Sequence, residues 1–483
     1  MEFYLHSLVL RLTSRFTISF YLYSNSQSMR RFMLISLGFF FCITTRAQSE
    51  DSIFIKRISD EVLTNGRAYE NLYYLTKQIG ARLAGSPQMV KAEQWGLTVF
   101  QQNGSLKTWL QECKVPHWVR GGTDEARTSG IGTRQAKLNV LALGNSIGTG
   151  PKGIEAEIVE VKSFKELEEK KDSVKGRIVF YNYKFDPTFI RTFYSYRDAV
   201  EYRGRGASEA AKYGAVAVMV RSMSHSTDNN PHTGSLRYDS AYKKIPAVAV
   251  GLRDADWLSA TLSKNRVSVF MKTNGHFLPD TIGHNVIAEM TGTEFPNEII
   301  TIGGHLDSWD VGEGAHDDGA GCVQTIEVLR AFRALGYKPK RTIRFVLFAN
   351  EENGLRGGNK YAEEAKEKGE KHLFAVESDA GGFTPRGFGF QMKDEQFEKV
   401  TKWKELLTPY GGSEFNKGGG GADIGPLNRT FGTALAGLSP DSQRYFDYHH
   451  ANNDVFENVN KRELELGAIN MAALIYLVDK YGL

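Results

Sequence analysis

A chain of 483 residues with 41% hydrophobic and 24% charged side chains is long enough for two or three domains with sizeable cores. Five of its 60 Lys and Arg, and one of its 56 Asp and Glu, lie in residues 1–47, so the formal charge of +4 belongs to the N-terminus and the remainder is neutral. That balance argues against a nucleic-acid partner or an anionic membrane surface, both of which need a basic face.

From Met29 the sequence runs MRRFMLISLGFFFCITTRAQ. Two arginines, an apolar run Phe32–Ile43 and a small residue at Ala47 read as a secretory signal, with translation starting at Met29 and residues 1–47 forming the leader. An apolar run of about a dozen residues is too short for a bilayer. No stable membrane insertion is expected, and the mature chain is expected to be secreted or periplasmic, or extracellular or lysosomal in a eukaryote. After Ala47 only Cys113 and Cys322 remain, too few for a disulfide framework.

Ile53 to Gly85 carries apolar residues at three- and four-residue steps and predicts a helix ending near Ala81-Arg82-Leu83-Ala84-Gly85-Ser86-Pro87. A second helix follows through Ala92, Trp95, Val99 and Phe100 and stops at Asn103-Gly104. Arg120 to Thr133 is rich in Gly, Thr and Arg and marks a boundary. From Lys137 to Asn274 short β-like runs take over (Leu138–Leu143, Ile154–Val161, Gly176–Tyr181, Val216–Val220, Ile245–Val250, Val267–Met271), with a helix Ala207–Tyr213 among them. From His284 strands alternate with helices: Ile299–Ile302, a helix to Leu335, Thr342–Ala349, Asn359–Gly369, Leu373–Val376, Glu395–Leu407, Thr433–Leu438 and a final helix Lys461–Tyr481. The expected fold is α/β, a mostly parallel mixed sheet sandwiched by helices, with a β-rich inserted domain. The expected partition is 48–130 with 281–483 for the catalytic part and 131–280 for the insertion.

The densest chemistry lies in TIGGHLDSWDVGEGAHDDGAG, residues 301–321, where His305, Asp307, Asp310, Glu313, His316, Asp317 and Asp318 crowd between a strand and a helix. His305 follows one predicted strand, Glu351-Glu352 another and Asp379 a third. Ligands of open α/β sheets bind beyond the carboxyl ends of strands, so these groups can converge. Asp317 and a C-terminal His, from His449-His450, close the ring. Each has a bland alternative: a Glu-Glu pair is usually solvated surface, and Asp before Gly-Ala-Gly is often a helix cap. Placed together at successive strand ends, they fit metal better. A His and carboxylate set without Cys suits zinc. Five ligands exceed one catalytic zinc and suit two ions sharing a carboxylate. Of Glu351 and Glu352, one would coordinate and the other act as general base.

GGHLDSWDVGEGAHDDGAG, ANEENG, ESDAGG and YHHANND resemble the zinc exopeptidase family of plasma glutamate carboxypeptidase (carboxypeptidase Q), which also contains the co-catalytic bacterial aminopeptidases. The likeness runs from about Asp51 to the C-terminus, through ARLAGSP, GASEAAKYGA, PHTG and KIPAVAV, and the middle segment resembles the protease-associated domain of such enzymes. It implies two Zn2+ per chain: His305 and Asp379 on one, Glu352 and His450 on the other, Asp317 between them. It also implies Glu351 as general base, Asp307 as the carboxylate orienting the ligand His, and a cis peptide after Asp317. The family places the ligand His four residues before an Asp, which selects His450 with Asp454 over His449; Val455 departs from the family's Thr. Gly418 to Gly421 resembles a loop near the substrate. The implied activity is hydrolysis of dipeptides or of terminal residues of short peptides, and a homodimer is compatible with it. A glutaminyl cyclase with a single zinc, or an inactive binding protein of the transferrin-receptor kind, are the rivals. The inserted module argues against the first and the full ligand set against the second. Whether the insertion closes over substrate, with His232 in PHTG as one route, is not fixed by the sequence.

Overall fold

The apolar run Ile299–Ile302 lies in a strand, Phe295–His305, that is buried from Ile299 to its end. A strand covered on both faces reads as a continuous apolar run rather than an alternating one, and here both flanking strands, Arg341–Phe348 and Lys371–Glu377, run parallel to it. The structure is a computed structural model that describes residues 49–104, 107–129 and 135–483. The signal sequence read at residues 1–47 lies outside the described residues.

The first sheet has eight strands in the order Lys107–Val119, His276–Met290, Arg341–Phe348, Phe295–His305, Lys371–Glu377, Ala434–Pro440, Pro385–Gln391 and Glu414–Lys417. Its four central strands are parallel and its flanks are mixed. On one face the helices Ala320–Ala334 and Lys461–Tyr481 bury Ile326, Leu329, Ile469 and Leu474 against Ile300, Ile302, Phe345 and Phe374. On the other, Tyr361, Ala362 and Leu427 pack on Val346, Phe348 and Ala375. The final helix starts at Asn460, whose side chain accepts from the main-chain N–H of Arg462 and Glu463, a cap that contributes about 1 kcal/mol.

The sequence expectations for the first helical stretch and for the sheet edge need revision. Ile53–Gly85 is divided into Glu50–Asn65, Ala68–Tyr73 and the wider turn Tyr74–Ile79. Gly66 sits at the first break, where a Cβ would lie 2.2 Å from the carbonyl oxygen of Val62. The edge strand Lys107–Val119 and its neighbour His276–Met290 give no clear strand signal in the sequence, because their exposed positions carry Lys107, Glu112, Lys114 and Asp280 among the apolar ones.

Val119 pairs with His276, so the chain leaves the first sheet and returns to it at neighbouring points. Between them lies a second eight-stranded sheet, whose strands Ile154–Val161, Ile178–Tyr181, Ala217–Arg221 and Ala247–Val250 run parallel. It carries the expected helix near Ala207, as Gly206–Lys212, and also Phe164–Glu169, Thr192–Gly204 and Leu252–Leu262. The two parts share packing: Phe383, Tyr445 and Phe446 are buried in one cluster with Leu143, Phe185 and Tyr202.

Candidate metal centre

The acidic loop after His305 divides into residues that face one another and residues that hold the loop. Asp310 takes a two-pronged ion pair from Arg120, at 2.7 Å on each oxygen. Glu313 accepts from Lys77 at 2.6 Å and from the Phe456 N–H at 2.9 Å. His316 is stacked 4.1 Å from Phe383; its Nδ1 accepts from the Gly382 N–H and its Nε2 faces the Asn458 carbonyl. Burial lowers its pKa to about 4, so it is a neutral packing residue. Arg82, fully buried in the Ala81–Pro87 turn, donates to the carbonyls of Leu306, Glu313 and Gly314 and so fastens both ends of the loop. The apolar periodicity used to place the first helices carries no signal for such a residue.

What remains is a convergent set. His305 ends its strand with Nε2 lying 3.2 Å from Asp317 Oδ1 and 3.5 Å from Asp379 Oδ1. His450 Nε2 lies 3.1 Å from Asp317 Oδ2 and 3.0 Å from Glu352 Oε2. Asp317 therefore turns one oxygen to each half. The Asp317–Asp318 peptide is cis. His449 Nε2 is further off, 3.8 Å from Asp317 Oδ2. Donor atoms of His305, Asp317 and Glu352 lie within 4.8 Å of one another, as do those of Asp317, His449 and His450, and those of His305, Asp318 and Asp379.

Neighbouring carboxylates hold this set in place. Asp307 has its oxygens on the N–H groups of Glu351 and Glu352, at 2.9 and 3.3 Å. Its hydrogen bond with His305 Nδ1 runs through its main-chain carbonyl at 3.0 Å, with the carboxylate 3.7 Å away. The expected orientation of His305 by the Asp307 carboxylate is thus carried by the Asp307 backbone, while the carboxylate orients the Glu351-Glu352 turn. Asp454 accepts from the N–H of His316 and Asp317 at 2.8 and 3.1 Å.

The site is electrostatically unbalanced as a set of side chains. Burial, then Asp317, pushes Glu352 up to about 7. Burial, then Asp379, does the same to Glu377, and burial raises Asp454 to about 7. Glu351, partly exposed, is also pushed up by desolvation and by Asp379 and Glu352. Against burial, His305 and His450 hold Asp317 well below the usual range. Asp317 Oδ2 and Glu352 Oε1 are buried with no hydrogen-bond partner among the described residues. Buried carboxylates without partners are costly, and a divalent cation is the group that satisfies several at once.

Comparison with known proteins gives the family. The model of peptidase family M28 matches residues 285–475. Carboxypeptidase Q of Mus musculus is 35% identical over 413 residues, covering 85% of this chain and 85% of that protein. The chain belongs to peptidase family M28. This M28 peptidase is accordingly a metallo-exopeptidase. A peptidase M28 precursor from Shewanella amazonensis SB2B superposes with a TM-score of 0.85 at 32% identity, covering 90% of this chain and 97% of that one. A zinc aminopeptidase from Bacillus subtilis shares the fold, with a TM-score of 0.61 at 19% identity over 85% of this chain and 94% of that one.

Proposed function

We propose that this M28 peptidase is a di-zinc exopeptidase that removes terminal residues from dipeptides and short peptides outside the cytoplasm. The observation that carries the reading is Asp317, whose two oxygens face separate His and carboxylate pairs. His305 and Asp379 would hold one ion, His450 and Glu352 the other, and Asp317 both. The donor set is imidazole and carboxylate without thiolate, which suits zinc, and the unpartnered oxygens of Asp317 and Glu352 support the fit. The zinc aminopeptidase that shares the fold supports the choice of metal.

When bound, zinc supplies Lewis acidity that polarises a carbonyl oxygen and lowers the pKa of water. Glu351 is the general base: its carboxylate takes the proton of the attacking water and returns it to the leaving amine nitrogen. Asp307, by accepting both N–H groups of the turn, fixes where that carboxylate stands. The segment between Val119 and His276 is read as a protease-associated domain, supported by the adjacency of its two connections. Among the described residues no helix is long and apolar enough to cross a membrane; export is supported by the signal sequence.

A panel of free, N-blocked and C-amidated dipeptides, with zinc content measured on the same preparation, tests the reading. Turnover with two zincs per chain is expected, and Glu351→Gln should keep both while losing about 100- to 10,000-fold in kcat. Parent-like turnover by the Gln variant would remove Glu351 from its role. The pattern across blocked ends decides between amino- and carboxypeptidase action.

A further inference from the structure

The imidazole of His450 is gripped from behind by the second sheet. His450, at φ 61°, receives the Thr233 N–H on its own carbonyl at 2.9 Å, and its Nδ1 lies 3.3 Å from the Thr233 carbonyl. A carbonyl only accepts, so a proton on Nδ1 would be held by Thr233 and would leave the Nε2 lone pair free for an ion between Asp317 and Glu352. The Arg203 guanidinium is 3.3 Å from both the Thr233 carbonyl and Nδ1. Arg203 donates to the Thr233 carbonyl through one nitrogen and to the Tyr196 hydroxyl through the other.

The strap bearing Thr233 is itself anchored. Thr233 Oγ1 donates to the Ala142 carbonyl at 2.8 Å, the His232 N–H to Ser222 Oγ at 2.9 Å, and Gly144 N–H to the Gly234 carbonyl at 3.0 Å. Gly234, at φ 125°, makes the close approach possible. A Cβ there would sit 2.4 Å from Arg203 Nη1 and 2.6 Å from His450 Nδ1.

We propose that the strap Thr233-Gly234, braced by Arg203, sets the tautomer and orientation of His450, so that loading of the metal pair depends on the second sheet as well as the first. Arg203 and Gly234 are positioning residues: they act on the metal through His450. The proposal rests on the reading of His450 as a ligand. Residues behind a ligating imidazole typically change metal affinity 10- to 100-fold when removed.

The test titrates the full metal-stripped chain with zinc alone, and separately with cobalt(II), for the parent, Gly234→Ala and Arg203→Met. Binding is read by chelator competition and by the visible cobalt spectrum, and melting of the metal-free proteins is recorded alongside. The expected result is one site unchanged, one weakened 10- to 100-fold and an altered cobalt spectrum in both variants, with metal-free melting unchanged in Arg203→Met. Should Gly234→Ala fail to fold, Arg203→Met, which removes the donors without adding bulk, carries the test. Parent-like affinities and spectra in the variants overturn the proposal. So does an affinity loss in Arg203→Met matched by a fall in its metal-free melting, which marks a structural role. A parent chain that binds no zinc overturns the metal-centre reading and this inference with it; a parent that binds two beside unaltered variants overturns the inference alone.

Discussion

Asp318 ties the end of one strand to the start of the next helix. Its Oδ2 accepts from the His305 N–H at 3.0 Å and its Oδ1 from the Gly321 N–H at 2.9 Å, both fully buried. The approach is close enough that a Cβ on Gly304 would lie 2.4 Å from Oδ2, and one on Gly321 2.5 Å from the same carboxylate and 1.9 Å from the Ser378 carbonyl. The glycines bracketing the acidic stretch are therefore spatial requirements: a side chain at Gly304 would strike the Asp318 carboxylate, and one at Gly321 the Ser378 backbone as well. Gly321→Ala is expected to destabilise the protein by about 1–3 kcal/mol through overpacking, read as a lowered denaturation midpoint with unchanged slope. An unshifted midpoint would contradict this packing. The sequence reading takes Asp317 as the shared ligand and gives its neighbour Asp318 no task. The part Asp318 plays between strand and helix was not legible, because a cap and a ligand differ in which atoms they face, which residue type does not encode.

At the scale of elements, the strand Lys371–Glu377 begins at an ion-paired junction. Glu370 takes both prongs of Arg344, at 2.6 and 2.8 Å, and lies 3.1 Å from His372 Nε2. Burial alone would raise the Glu370 pKa, but His372 and Arg344 bring it to about 2. A depressed carboxylate stabilises the fold above its unfolded value of 4.5 and ceases to do so as pH falls toward 2. Denaturation midpoints followed from pH 5 to 2 should fall more steeply for the parent than for Glu370→Gln, and parallel curves would contradict the pairing. Strands with buried centres, such as Ile299–Ile302 and Ile178–Tyr181, were legible as apolar runs, and the helix Lys461–Tyr481 was read at its observed bounds. The helix Thr192–Gly204 was not. Its face is mixed, with Arg203 and Ser195 buried beside Ala199 and Tyr202, so tertiary contacts rather than periodicity decide it.

For the whole molecule, two sheets meet at one rim. Strand ends of the first sheet bring His305, Glu351, Glu352 and Asp379 together, as the alternation of strands and helices implied. The contribution of the second sheet through Thr233 and Arg203 was invisible in one dimension, because Thr233 acts by its main chain and lies 217 positions from His450. The central claim is that Asp317 is shared between two ions. The direct measurement is an anomalous difference map at the zinc absorption edge from crystals of the zinc-loaded chain. The account predicts two peaks, one beside His305 and Asp379 and one beside His450 and Glu352, both touching Asp317. A single peak, or a pair that leaves Asp317 untouched, contradicts it.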